Sequence, residues 1–208
     1  KVPGSAYLES YKNNLYLLSS TGILGYGMIQ NNILNFKQIN NNIQDFIGYE
    51  QFKKSPKYSI KDLFIKDEKI FLSFTNEVKK DCWNTSILYG ELNPKFIKFK
   101  PFFIPDECVS SINNDDRVFE ALQSGGRISD YKNNQIIFST GEFRSRSRAQ
   151  DIESVMGKIL KINIQTKKYE ILAIGSRNAQ GLYFDKKNNI IIAAEHGPKG
   201  GDEINIFK

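Results

Sequence analysis

Histidine, cysteine and long apolar runs are what this sequence has least of. Its 208 residues hold a single histidine, His196, and two cysteines, Cys82 and Cys108. That is too few nitrogen and sulfur ligands for a tetrahedral zinc site, which excludes zinc hydrolase chemistry. No apolar run reaches the ~18 residues that a membrane-spanning helix needs. The N-terminal KVPGSAYLES has no charged region followed by an apolar stretch, so no signal peptide is read in it and the chain reads as mature or trimmed. Proline is scarce, 6 residues against 15 glycines, and with 40% hydrophobic and 25% charged residues the composition is that of a globular protein.

Charge of one sign is not concentrated either. The net +6 comes from lysines scattered among asparagines rather than gathered on one face, so no nucleic-acid partner is predicted. The local exception is Arg144, Arg146 and Arg148, whose spacing puts three guanidinium groups on one face if the segment is extended and otherwise makes a solvated loop. Cys82 and Cys108 either form one disulfide in an oxidising compartment or stand apart as buried thiols, the bridge being the expectation carried forward. Asn84-Thr85-Ser86 is a formal glycosylation acceptor of little weight in so asparagine-rich a chain.

What is abundant is repetition. AYLESYKNNLYLLSSTG (6 to 22), KDLFIKDEKIFLSFTNE (61 to 77), GGRISDYKNNQIIFSTGE (125 to 142) and AQGLYFDKKNNIIIAAEHG (179 to 197) share one pattern. Each is an apolar strand, a polar turn and a second strand dense in Ile, Leu, Phe and Tyr, which is a β-hairpin signature. Further strand pairs follow, as in SILYGELN (86 to 93) and GKILKINIQTKKYEIL (157 to 172). The turns recur at intervals of 54, 66 and 55 residues, which suits one four-stranded propeller blade plus a loop. A lone four-stranded sheet leaves one face bare, so successive sheets must stack. The expected fold is all-β, a β-propeller of four-stranded antiparallel blades, with a β-sandwich as the rival. A single partial domain is expected over 1–208, with blade units near 1–55, 56–115, 116–175 and 176–208, about three and a half blades.

Three clusters in the last third are richer in Gly and polar residues than packing requires: QSGGRI (123 to 128), IGSRNAQGL (174 to 182) and EHGPKGGDEINIF (195 to 207). Loops at blade ends can converge and build one site from several blades. Together with TGE (140 to 142) and AQDIESVMGKILKI (149 to 162), these clusters resemble the soluble glucose/sorbosone dehydrogenase family from about residue 121 onward. The pairing of RNAQGL with EHGPKGGDEIN is far more specific than a single glycine motif.

The resemblance implies a six-bladed propeller, periplasmic or secreted, that binds pyrroloquinoline quinone (PQQ) and calcium, oxidises a sugar or polyol and passes electrons to an external acceptor. In such enzymes a base takes the sugar hydroxyl proton while hydride passes to the quinone. By motif position, Arg127, Arg177, Asn178 and Gln180 would serve the cofactor, Arg177 stabilising charge on its oxygens and Gln180 ordering the loop. Gly197 and Pro198, through backbone carbonyls, and Asp202 would serve calcium. His196 is read as a loop-packing residue. The family's catalytic histidine falls on Gln123, and a neutral amide accepts no proton near neutrality. The acid that orients that histidine falls on Glu142, where Asp is usual; one methylene longer, Glu142 is itself a candidate base. Two functions therefore stand at this stage: a PQQ- and calcium-dependent aldose dehydrogenase-like protein of doubtful activity, or a silent propeller that binds a carbohydrate or a protein.

Overall fold

A computed structural model describes residues 6–30, 33–197 and 200–208. Nearly every regular element in it is an antiparallel strand. The chain divides into two compact units, one made of Lys1–Phe74 with Ile87–Phe102 and the other of Thr75–Ser86 with Phe103–Lys208.

In the first unit, β1 (Ala6–Tyr11), β2 (Asn14–Ser19) and β3 (Leu24–Gly27) form a meander. A small hairpin of β4 (Ile29–Gln30) and β5 (Ile33–Leu34) leads to β6 (Lys37–Asn41), which pairs with β3. A short helix, α1 (Tyr49–Lys54), precedes the second sheet. That sheet is built from β7 (Ile60–Lys66), β8 (Lys69–Lys79) and β9 (Cys82–Glu91). Near its end, β10 (Phe96–Ile97) lies parallel to β6 and β11 (Lys100–Phe103) pairs with β9; the ends of β8 and β9 from Thr75 to Ser86 belong to the second unit, where β12 (Val109–Ser110) joins β9 at Trp83 and Cys82. The β7–β8 turn sits on Asp67 and Glu68, both left-handed at φ 49° and 58°, the conformation a tight primed hairpin turn demands. Leu18, Leu24, Ile39, Ile60, Leu72 and Phe99 are all buried in one core.

A pH-sensitive contact lies in this unit. Burial and the nearby charge of Asp62 push the Glu9 carboxyl on β1 up to about 7, against a backbone hydrogen bond at Ile65 that favours its charged form. The folded chain therefore holds this proton more tightly than the unfolded chain. The contribution is full below pH ~4.5 and is lost as pH rises through ~7. After discounting for the group's partial exposure, Glu9→Gln is expected to exceed the wild type by about 1–2 kcal/mol at pH 8 and to match it at pH 5. Urea unfolding at the two pH values checks this; a difference independent of pH would contradict it.

In the second unit, β13 (Gly125–Asp130), β14 (Gln135–Thr140), β15 (Lys158–Asn163) and β16 (Tyr169–Ile174) form one four-stranded antiparallel sheet. The next sheet has β17 (Ala179–Asp185), β18 (Ile190–Glu195) and β19 (Glu203–Phe207). The two stack face to face: Ile137 packs with Phe184 and Ile191, and Ile159 with Ala179 and Ala193. The β13–β14 turn falls on Asn133 and Asn134, left-handed at φ 46° and 57°, which asparagine tolerates better than most residues.

Cys82 and Cys108 are joined in a disulfide with their Cα atoms 5.4 Å apart, which decides between the two possibilities the spacing leaves open. Closing a loop with a sequence separation of 26 removes unfolded-state entropy that corresponds to about 3.5 kcal/mol.

Candidate functional site

The strand ends around β13, β14, β17 and β18 meet in the second unit, and glycine lets them do so. A Cβ on Gly141 would fall 2.1 Å from the Gln123 carbonyl oxygen and 2.5 Å from two backbone carbons. In its place the Gly141 N–H donates to the Ser124 carbonyl at 2.8 Å, and the Phe143 N–H donates to the Gln123 carbonyl at 2.9 Å. The segments carrying Gln123 and Glu142 are thereby locked side by side. Arg177 joins them from the β16–β17 connection, where its carbonyl accepts the Glu142 N–H at 3.2 Å.

The side chains of these three residues interlock. With its amide oriented to satisfy both neighbours, Gln123 donates to Glu142 Oε1 at 3.2 Å and accepts from Arg177 Nη2 at 2.6 Å. Arg177 Nε stands 3.7 Å from Glu142 Oε1. Glu142 is only 2% exposed and Gln123 7%, so both carry their polar groups away from bulk water. Burial pushes the Glu142 carboxyl above the usual carboxylate range, and the positive charges of Arg177, Arg146 and Arg144 oppose that rise.

Around this cluster a second set of groups fixes the strand ends. Asn178 is buried, and its Oδ1 accepts the Gly125 N–H at 3.0 Å and the Gln180 Nε2 at 2.8 Å. Arg127 Nε donates to the Gln180 carbonyl at 2.5 Å. Arg127, Asn178 and Gln180 thus form one group that ties β13 to β17. Glu195, at the end of β18, accepts the Arg177 N–H at 2.6 Å and the Ser176 hydroxyl at 3.0 Å, while Arg177 Nη1 donates to the His196 carbonyl at 2.9 Å. The sequence reading does not single out Glu195; its only signal is its place as the acid that opens EHGP. It lines two clefts of about 390 and 260 Å³, the larger reaching Arg177 and the smaller Gln180 and Asp202.

The arginine run is not extended. Phe143 and Arg144 are left-handed at φ 50° and 65°, and a short helix, α2 (Arg146–Gln150), begins at the second arginine. The three guanidinium groups therefore do not share one strand face. Arg146 pairs with Asp116 at 2.9 Å and Arg148 with Glu107 at 3.0 Å. Beneath α2, the fully buried Lys158 donates to the carbonyls of Arg148, Ala149 and Met156 at 2.7, 3.0 and 2.6 Å. Burial lowers the pKa of its ammonium group, and the three acceptors replace the lost water.

For calcium, the donors that fit are oxygens of the Gly197–Asp202 loop. Asp202 Oδ1 accepts the Gly197 N–H at 3.1 Å, and His196 Nδ1 lies 3.6 Å from Asp202 Oδ2. A Cβ on Gly197 would fall 1.7 Å from the Gly201 carbonyl, so this turn closes on itself as only glycine permits. Pro198 lies outside the described residues. Among the described residues no group of three His, Cys, Asp or Glu could hold a metal. Among the described residues of this loop the one carboxylate is Asp202, and it is already engaged by the Gly197 N–H. Toward PQQ, an anionic quinone, the site offers the guanidinium of Arg177, one-quarter exposed.

Comparison with known proteins agrees with this architecture. A family model described as Glucose / Sorbosone dehydrogenase matches residues 58–208. The chain is similar to the aldose sugar dehydrogenase YliI of Escherichia coli, 26% identical over 156 residues, covering 69% of this chain and 40% of that protein. It superposes on a glucose dehydrogenase with a TM-score of 0.71 at 19% identity, covering 97% of this chain and 64% of that one. It also superposes on the PQQ-bound form of aldose sugar dehydrogenase from Streptomyces coelicolor, with a TM-score of 0.68 at 16% identity, covering all of this chain and 65% of that one. The chain therefore spans 40% of the curated relative and just under two thirds of these solved structures. Apart from the parallel β6–β10 pair its sheets are antiparallel, as in β-propeller blades, and no helix among the described residues is long and apolar enough to cross a membrane. With the family model extending over almost three quarters of the residues and the same fold in the solved dehydrogenases, the chain belongs to the glucose/sorbosone dehydrogenase family.

Proposed function

We propose that this protein is a PQQ-binding member of the aldose dehydrogenase group whose proton-accepting residue has been replaced, so that it binds the quinone and a sugar while oxidising the sugar slowly. PQQ, held at Arg177, would supply the hydride acceptor, and calcium, held at Gly197, Pro198 and Asp202, would add a Lewis acid to that chemistry. The chain's own part is to orient a sugar hydroxyl and remove its proton. The observation that carries the reading is the state of Gln123, whose amide is engaged on one side by Glu142 and on the other by Arg177. An amide so placed orients groups and takes no proton.

To Glu142, the other candidate base, we assign the positioning of Gln123 and Arg177 instead, because its carboxylate is buried and its Oε1 faces both. Arg177 is the group that would meet developing negative charge on the quinone oxygens. Arg127, Asn178 and Gln180 support this reading by fixing the strand ends beside Arg177. Gly197, Pro198 and Asp202 are the proposed calcium loop. The Cys82–Cys108 bridge suits an oxidising compartment, and so a periplasmic or secreted setting. A sugar or polyol is the proposed substrate, with an external electron acceptor.

Calorimetric titration with PQQ, with and without calcium, followed by an aldose-driven dye-reduction assay, tests the proposal. Saturable quinone binding strengthened by calcium, with dye reduction near background, is expected. Absence of quinone binding would remove the dehydrogenase reading and leave the silent carbohydrate- or protein-binding propeller.

A further inference from the structure

The Cys82–Cys108 bridge is not sealed in a core. Both cysteines line a cleft of about 520 Å³, larger than either cleft at Glu195. Cys82 is buried, but Cys108 is only half-buried. Lys79 and Lys80 line the same cleft; both are exposed, and neither has an ion pair among the described residues. Cations beside a cysteine favour its thiolate, the form that leaves when a disulfide is attacked. Asp106 and Asp115 share the cleft, so its charges complement a molecule that carries both carboxylates and an ammonium group.

From the bridge a chain of hydrogen bonds runs to the site. Glu107, next to Cys108, clamps the segment around α2: its carboxylate accepts Arg148 Nη1 at 3.0 Å, the Ser154 hydroxyl at 2.7 Å and the Val155 N–H at 2.7 Å. Arg148 Nη1 also donates to the Cys108 carbonyl at 3.1 Å. That segment in turn holds the residues of the site. The Ser145 N–H donates to the Glu142 carbonyl at 2.7 Å, the Gly157 N–H to the Gly141 carbonyl at 3.2 Å, and the Ser176 N–H, beside Arg177, to the Gly157 carbonyl at 3.0 Å. Val109, Phe143, Val155 and Met156 share one buried cluster across the same segments. The bridge therefore ties to β9 a loop on which the placing of Glu142 and Arg177 depends.

We propose that the Cys82–Cys108 bridge is a thiol-exchange site, reduced from this cleft by a small zwitterionic thiol of the glutathione class, and that reduction loosens the Glu107 clamp and weakens ligand binding at Arg177. The thiolate attacks Cys108 Sγ, the S–S bond breaks, and Cys82 leaves as a thiolate that takes a proton. A second thiol then displaces the first from Cys108. Two thiols become one disulfide, and two electrons and two protons pass to the protein. Only the effect on ligand binding rests on the preceding reading.

The test starts with the folded wild type in reduced glutathione, alkylated at intervals and read by mass spectrometry. Both cysteines should become alkylated at a rate that rises with glutathione, and Lys79→Gln with Lys80→Gln should slow this several-fold. Hydrogen exchange then compares the oxidised and reduced forms: amides of residues 145–157 should exchange faster after reduction, and those of β18 should not, which separates a local release from general destabilisation. Titration with PQQ in calcium should show a rise in Kd of about fivefold or more on reduction, the low end of coupling between sites, restored when the bridge is re-formed. Glu107→Ala, which keeps the bridge, should weaken binding in the same way. A wild type that binds no PQQ sinks the proposed function, and cysteine alkylation with amide exchange then decides this proposal. A bridge that glutathione reduces only once the protein is unfolded, amides 145–157 indifferent to reduction, or an unchanged Kd for PQQ overturns it.

Discussion

Replacing Gln123 by histidine is expected to raise PQQ-dependent aldose oxidation by about 10²- to 10⁴-fold over the wild type, the usual worth of a positioned general base. The surroundings for such a base are already in place. Glu142 Oε1, now 3.2 Å from the Gln123 amide nitrogen, would accept the imidazole N–H and fix its tautomer, the part an acid plays beside a catalytic histidine. Arg177, now donating to Gln123 at 2.6 Å, would disfavour the imidazolium and keep the ring ready to accept a proton. The gained activity should rise with pH through the titration of a histidine, near ~6.5 before local shifts. Steady-state dye reduction across pH 5 to 9 checks this. Adding Glu142→Gln to the histidine variant should return most of the gain, and Gln123→Asn should gain nothing.

The second large effect is on stability. Glycine to alanine ordinarily stabilises a chain by about 0.4–1 kcal/mol, because it restricts the unfolded state. At Gly141 the sign reverses. The new methyl would lie 2.1 Å from one backbone oxygen and 2.5 Å from two backbone carbons, none of them on a side chain that could rotate away. The β13 and β14 ends would have to separate, which weakens the Gly141–Ser124 and Phe143–Gln123 hydrogen bonds. The expected cost for Gly141→Ala is about 3 kcal/mol or more, at the upper end for overpacking, and a fall in melting midpoint of roughly 6–12 °C for a chain of this size. Calorimetric melting measures it. Because the displaced strand end carries Gln123, the variant should also lose affinity for any ligand held at Arg177.

The fold was largely readable because its information is local. Asp67-Glu68 and Asn133-Asn134 announce tight turns through residues that tolerate left-handed backbone, and the flanking alternation announces strands. The grouping of the segments around Gln123, Glu142 and Arg177 was readable as clusters too polar and too rich in glycine for a core. Features that depend on distant partners were not. Nothing local marks Glu142 as buried, and the groups its carboxylate meets, Gln123 and Arg177, come from other segments. The helix at Arg146–Gln150 overrides an extended reading of the arginine run because it is anchored from below by Lys158, whose three carbonyl partners no periodicity reveals. The parallel pairing of β10 with β6 is likewise a tertiary event between short segments far apart in sequence.

In the proposed function, the residue at position 123 leaves a bound quinone without a partner to take the sugar's proton. Rapid mixing of the PQQ- and calcium-loaded protein with excess aldose, without dye or oxygen, reads that step alone through the absorbance of the bound quinone. The wild type is expected to change slowly, at least ~10²-fold more slowly than Gln123→His. A wild-type change as fast as that of the histidine variant would contradict it.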